Sequence, residues 1–281
     1  MASITTTDSA ASWRPDIAAF APSDVIPDAI ILSAATVAGS IEGDAPMLRV
    51  PYVDDDTAAF IAEGDEIPEG DPDLSEVLVA TAKISQLLRL SREQFEQEGT
   101  AQELGDSVRR AIVKKANIAF LTQAAPTNPA VTPPAGLLNI AGIVNGGAVA
   151  THLDALIDVI ATLESNGGAP TGIILDPVAW ARLRKFKTGT GSAASLLGAG
   201  TMDSTRMLLD LPVTVTPALA AGTGLIVDSA ATVAAAGQVQ VAQSTDAYFS
   251  SDSIALRATW RIGWNLVRPN RLAKFTVTAP A

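Results

Sequence analysis

The chain contains no cysteine, which rules out disulfides, thiolate metal ligands and a cysteine nucleophile, and suits a reducing compartment. It has one histidine, His152. Most zinc sites are thereby excluded, as is every Ser-His-Asp triad except one built on that residue. There is no apolar run of about eighteen residues, the length a membrane-spanning helix needs. The opening MASITTTDSAASW lacks a basic start and an apolar stretch, which argues against secretion. Basic residues are missing from one window: between positions 50 and 82 there are ten acids (Asp54, Asp55, Asp56, Glu63, Asp65, Glu66, Glu69, Asp71, Asp73 and Glu76) and no Lys or Arg. The other twenty acids nearly balance the nineteen bases. The sequence therefore describes one acidic appendage on a neutral body.

The 281 residues, 48% of them hydrophobic, suffice for about two domains. From Ser91 to about Ala125, Leu104, Val108, Ile112, Ala116 and Phe120 recur every four residues, which predicts one long helix with a single apolar stripe. Ser91 and Gln94 fit a capping box. Acids precede bases along this helix, the sense that complements its dipole. Its flanking segments have little core of their own, so it reads as a spine carrying arms.

Residues 1 to about 46 are rich in Ala, Ser, Thr and Pro and predict an extended arm that orders against something else. Leu48 to Val53 and Val77 to Leu90 predict two strands of a hairpin with an acidic, breaker-rich tip. A two-stranded hairpin is marginal alone and needs a partner. Beyond a Pro-rich connector at 125–136, a helix is expected from Thr151 to Asn166. Thr151 and Asp154 would cap it, Leu153, Leu156, Ile157, Ile160 and Leu163 would line one face, and Gly167 would close it. A strand at Gly172–Leu175 leads into a helix with Asp176 as N-cap and Pro177 first, reaching about Lys187 with Trp180 and Leu183 inward. Residues 188–205 read as loop, and Leu211–Thr216, Gly224–Asp228 and Val239–Gln243 as short strands. The sharpest strand signal runs from Ile254 to Leu266, where apolar and polar residues alternate over thirteen positions before Arg268-Pro269. Leu272–Val277 adds a terminal strand. The spine and the long strand should pack together, with the unit between them inserted.

These stretches, in their order, resemble the HK97-fold major capsid proteins of tailed bacteriophages. The resemblance rests on Phe60-Ile61-Ala62-Glu63-Gly64 with Ile67-Pro68-Glu69, Lys83-Ile84 leading to Leu90-Ser91-Arg92-Glu93, and Pro134-Ala135-Gly136-Leu137. It continues through Ile173-Ile174-Leu175-Asp176-Pro177, Leu211-Pro212-Val213, and Arg261-Ile262-Gly263 followed by Val267-Arg268-Pro269. It implies an α+β fold with an N-terminal arm (1–47) and an extended β-hairpin loop (48–90). A peripheral domain would hold the spine helix (91–137) and the long strand with the C-terminus (241–281), and an axial α/β domain (138–240) would be inserted between them. It further implies a non-enzymatic subunit, without cofactor or metal, that assembles as pentamers and hexamers into an icosahedral shell around double-stranded DNA. The expected location is the virion, and the host cytoplasm during assembly. Scaffolding, where needed, would be a separate protein, unless this chain is a processed form, and portal and decoration proteins would be further partners. Some members of that family cross-link a lysine to an asparagine beside a promoting glutamate; Ile67, Asp252 and Thr259 stand at the matching positions, so no covalent cross-link is expected. With no such lock, the acids Asp65, Glu66, Glu69 and Asp71 are expected to lie over basic positions of a neighbour, with Arg109, Arg110, Lys114 and Lys115 as candidates. The alternative is a solvated acidic loop serving solubility. An acidic balance argues for weak contact with DNA, because affinity there comes chiefly from phosphate neutralisation.

Several sharper motifs have plainer readings. Gly189-Thr190-Gly191-Ser192-Ala193-Ala194 matches GxGxxA but lacks the strand that should precede it. Arg182, Arg184, Lys185 and Lys187 read as a solvated helix end, and His152 as an exposed residue. Trp260 and Trp264 share one strand face, which suits a core or a subunit contact. A calcium site among Asp54, Asp55, Asp56, Asp71 and Asp73 lacks EF-hand spacing. Two other function classes are an encapsulin-type shell enclosing a protein cargo and a hydrolase using a pair such as Asp176 and Asp228.

Overall fold

The computed structural model describes residues 17–20, 28–39, 47–54, 60–61, 73–95, 100–189, 192, 194–197 and 206–279. Along the chain, β1 (Ile17–Phe20) is followed by α1 (Ile30–Ala34), β2 (Thr36–Gly39), β3 (Met47–Asp54) and β4 (Asp73–Ser91). Next come α2 (Arg92–Phe95), α3 (Thr100–Thr122), β5 (Val144–Val149), α4 (Asp154–Ser165), β6 (Gly172–Leu175) and α5 (Pro177–Arg184). The rest is strand: β7 (Met207–Leu208), β8 (Leu211–Val215), β9 (Thr223–Val227), β10 (Thr232–Ala236), β11 (Val239–Tyr248), β12 (Ser253–Leu266) and β13 (Ala273–Val277).

β12 is the axis of a seven-stranded sheet. One of its edges pairs with β4 from Ser253↔Ser91 to Gly263↔Thr81. Along the other edge β10 and β11 lie end to end, with Ala236 opposite Ile262 and Gln240 opposite Thr259, so four residues face three and the chain bulges at 237–238. The Gly237 carbonyl exposed there accepts the Trp260 indole N–H at 2.9 Å. The even-numbered residues of β12 from Ala258 to Leu266 face the spine helix α3, whose Val108, Ile112, Ala116 and Phe120 are all buried in the same core, while Leu104, the first of the expected stripe, is only partly buried and outside it. Phe120 and Trp264 meet edge to face at 5.5 Å and 87°.

The spine has two parts, α2 and α3, and residues 96–99 between them fall outside the described positions. Only half of the expected capping box forms: the Gln94 N–H donates to Ser91 Oγ at 3.3 Å. The arm is less independent than its composition implies. Ile30-Ile31-Leu32 does not stay extended; it forms α1, which puts Ile31 against the spine, and the Ile30 N–H donates to Asn117 Oδ1. β2 pairs with β10 and β1 with β11. The arm's first partner is thus its own chain.

The second sheet has six strands in the order β5-β13-β9-β6-β8-β7. One face packs on α4 and α5 through Leu156, Leu163, Ala179 and Leu183, and the other gives Ile174, Leu225 and Val227 to the core around the spine. Sheet membership does not follow the expected boundaries, since β10 lies in the seven-stranded sheet and the terminal β13 in the six-stranded one. α4 starts at Asp154, not Thr151, with Leu153 at its cap and no side-chain cap bond. His152 Nδ1 sits 3.1 Å from Asp154 Oδ2, so that carboxylate occupies the first turn, where the helix dipole favours it. The buried stripe is Leu156, Val159 and Leu163, so the helix is turned to leave Ile157 half exposed. α5 begins as expected, with Asp176 accepting from Val178 and Ala179 and Pro177 in the first turn, but ends at Arg184.

Candidate assembly surfaces

The most prominent surface is built by β4. Its 19 residues serve two partners in succession: residues 81–91 pair with β12, and residues 73–80 run on past it and pair with β3, from Asp54↔Asp73 to Met47↔Ala80. The hairpin is therefore a continuation of the seven-stranded sheet. Pro51, which cannot donate to a ladder, is tolerated in β3 because that strand is an edge. Three bonds from the end of β12 and the segment after it tie the hairpin down along its length: Arg261 Nη1 to Thr81 Oγ1 (3.3 Å) at its base, Asn265 Nδ2 to the Leu78 carbonyl (2.9 Å) just beyond, and Arg268 Nη2 to the Val53 carbonyl (3.1 Å) near its far end. On its inner side Val79 packs with Val233 and Ala235. Its outer side leaves Leu74 82% exposed, with Leu78 and Met47 also open to solvent. Met47 and Leu78 face the Pro-rich connector across a cavity of about 490 Å³, and Leu74, the most exposed of the three, marks a candidate contact surface.

A second surface is a groove of about 750 Å³ between the spine, Asp28 and the segment 216–218. It brings together three of the four basic candidates, Arg109, Arg110 and Lys114. Lys115 is exposed but does not line it. Two acids, Asp28 and Asp106, share the groove, and Arg109 Nη2 already lies 3.3 Å from Asp28 Oδ2. Its positive charge is largely compensated from within. The acidic candidates Asp65, Glu66, Glu69 and Asp71, like Ile67, lie outside the described residues.

The acids of a conceivable hydrolase are structural. Asp176 is buried, and its Oδ2 accepts N–H bonds from Val178, Ala179 and Gly222. Asp228, also buried, accepts from Ala169 and Ala230. Each carboxylate ties a loop to a helix start or strand end. Asp176→Ala should cost about 1–2 kcal/mol of unfolding free energy, the upper range for an N-cap, read as a drop in thermal midpoint; an unchanged midpoint would refute the capping role.

Among the described residues no group of three or more His, Asp or Glu is placed to hold a metal, and no helix is long and apolar enough to cross a membrane. Gly189 follows helix α5 and an isolated bridge between Lys187 and Ser195, with no strand leading into it, so the dinucleotide context is missing. Arg182 spends its charge inside the fold, donating to the Val277 carbonyl at 2.6 Å, while Arg184, Lys185 and Lys187 are exposed. Trp260 and Trp264 are core residues.

The family model described as "Phage capsid family" matches residues 29–277. The chain belongs to that family. It is an HK97-like major capsid protein, a structural protein and not an enzyme, and proteins of this family make up the shell of the virion. Solved structures agree in fold. A chain from Mycobacterium phage Adephagia superposes with a TM-score of 0.71 at 14% identity, over 100% of both chains. One from Gordonia phage Cozz gives 0.70 at 16% identity over 89% of this capsid protein and 87% of that chain. The capsid of a native GTA particle gives 0.69 at 14% identity over 89% and 90%. No curated protein matches the sequence.

Proposed function

We propose that this capsid protein assembles as pentamers and hexamers into an icosahedral shell that encloses double-stranded DNA, with subunits held by buried area and polar contacts alone. The observation that carries the reading is the β3–β4 hairpin, which continues the sheet past the end of its pairing with β12 and leaves Leu74 and Leu78 exposed along it. The arm and hairpin (1–47 and 48–90) act as the connecting parts. The spine with the long strand (91–137 and 241–281) forms a peripheral unit, and residues 138–240 form most of an axial unit. A net charge of −11 keeps contact with packaged DNA weak. Asp252, at one cross-link position, is engaged by Arg92 at 2.8 Å, and Ile67, at the lysine position, has no amine with which to form an isopeptide bond.

Electron microscopy of the purified chain, with absorbance read at 260 and 280 nm, tests this. Closed shells of viral size are expected, and small uniform shells loaded with protein would shift the reading to an encapsulin-type compartment. Particles boiled in detergent should run as monomers. A ladder of covalent multimers would overturn the non-covalent part.

A further inference from the structure

One tetrapeptide occurs twice in the chain, as Asn145-Gly146-Gly147-Ala148 and Asn166-Gly167-Gly168-Ala169. Asparagine is a thermolabile residue, and glycine after it favours cyclisation. Glycine has no side chain to hold its nitrogen away from the carboxamide carbon, and its backbone bends freely. Because the four residues are identical, the fold decides which copy reacts.

At 166–169 each participating group is held. The Gly167 N–H donates to the Glu164 carbonyl at 2.8 Å, Asn166 Nδ2 donates to the Asn270 carbonyl at 2.9 Å, and Arg271 Nε donates to the Asn166 carbonyl at 3.3 Å. The attacking nitrogen, the leaving amide and the peptide bond between them are fixed at the end of α4. At 145–148 the setting is looser. Asn145 is exposed on β5, the end strand of the six-stranded sheet. Its pairing with β13 slips there: Asn145 faces Lys274 and Ala148 faces Thr276, so Gly146 and Gly147 together face Phe275. A bulge of this kind interrupts the ladder, and an edge strand interrupted in this way opens at low cost. The one bond of the Asn145 side chain among the described residues is from the Gly147 N–H to Oδ1, at 3.2 Å. It folds the carboxamide back over the bond to Gly146 and draws electron density from Cγ, while Nδ2 stays open to water.

We propose that Asn145 deamidates spontaneously in the folded chain, whereas Asn166 is protected. The Gly146 nitrogen gives its proton to water and attacks Asn145 Cγ. The N–Cγ bond forms, the Cγ–Nδ2 bond breaks, and Nδ2 takes up a proton and leaves as ammonia. Water then opens the resulting succinimide. Attack at Cγ restores the original linkage as Asp, and attack at the backbone carbonyl gives isoaspartate, whose chain runs through Cγ. Water is the only co-reactant, and nothing is oxidised or reduced. Either product places a new carboxylate on β5 at the position opposite Lys274, and isoaspartate also lengthens the backbone just ahead of the bulge. The subunit thus carries a covalent record of its age.

The test ages the full, unaltered chain in mildly alkaline buffer made with heavy-oxygen water, followed by peptide mapping with fragmentation that separates Asp from isoaspartate. In the folded chain, conversion with uptake of the label is expected about tenfold or more faster at 145 than at 166, the ratio that a modest difference in the cost of local opening gives. In urea the two rates should converge, because the tetrapeptides are the same. Equal rates in the folded chain, faster conversion at 166, or an unreacted Asn145 under conditions that convert the denatured chain each overturn the proposal. The glycines are left in place, since a Cβ on Gly146 would lie 2.6 Å from Val159 Cγ2 and Gly147 sits at φ +68°. Asn145→Gln instead slows ring closure and should remove most of the acidic species that isoelectric focusing resolves in aged wild type. An unchanged acidic series in that variant would place the reaction elsewhere. Should the variant not fold, the peptide map of the unaltered chain decides the matter alone.

Discussion

Trp264→Ala is expected to lower the unfolding free energy by about 3–5 kcal/mol, the range for removing a large aromatic side chain from a core. Three contributions sum at this residue. The ring is buried and meets Phe120 edge to face at 5.5 Å, which joins β12 to the spine. Its indole N–H donates to the Ala135 carbonyl at 2.7 Å, so the Pro-rich connector loses its anchor as well. The side chain also walls an apolar cavity of about 490 Å³ at the hairpin base, which truncation would enlarge. Folded domains are stable by only about 5–15 kcal/mol, so the variant should show a large fall in urea midpoint, followed by far-ultraviolet circular dichroism because the substitution removes a fluorophore. Trp264→Phe keeps the ring and loses only the hydrogen bond and some area, so it should retain most of the stability. A Trp264→Ala midpoint close to wild type would mean that β12 and the spine do not share one core.

The elements the sequence announced are those in which a single face is buried. β12 alternates because one face meets the spine and the other meets solvent, and the spine's stripe reports the same core from the opposite side. Asp176-Pro177 marked a helix start through local chemistry alone. β10 was illegible for the converse reason: Thr232 to Ala236 is buried throughout, so TVAAA has no period and its alanines suit a helix equally. β5, with two glycines in VNGGAV, owes its strand form to β13, 129 residues away. α1 is five residues long and forms because the spine offers Ile31 a core, a fact no local window contains.

The contact surfaces were legible in the same uneven way. Arg109, Arg110 and Lys114 cluster as helical spacing implies, yet the acid that engages Arg109 comes from Asp28, 81 residues earlier. Arg257 and Arg261 were visible as the polar phase of the β12 pattern. Their neighbours across the sheet, Lys83 and Arg89, depend on register between strands some 170 residues apart, which cannot be read from either strand.

Gly263→Ala should detach the hairpin while sparing the core, and so abolish assembly without unfolding the chain. Gly263 stands opposite Thr81 at the point where β4 leaves β12 for β3. A Cβ there would lie 2.3 Å from the Ala80 carbonyl oxygen and 2.8 Å from Thr81 Cγ2. The first of these is backbone and cannot rotate away, so β4 itself must move. Overpacking of this kind costs about 1–3 kcal/mol, and here the displacement falls on the short bonds that hold the hairpin base, from Asn265 to Leu78 and from Arg261 to Thr81. Hydrogen exchange is expected to quicken at the amides of residues 74–80 and to stay slow at Trp260 and in α3, with shell yield reduced about tenfold or more, since 1.4 kcal/mol is already tenfold in an equilibrium. Gly105→Ala provides the control: nothing lies within 4 Å of the added Cβ, and alanine in a helix should instead stabilise by about 0.5–1 kcal/mol. If the Gly263 variant assembled normally with slow exchange across residues 74–80, the hairpin would not depend on this close approach, and its link to the sheet would rest on the side-chain bonds alone.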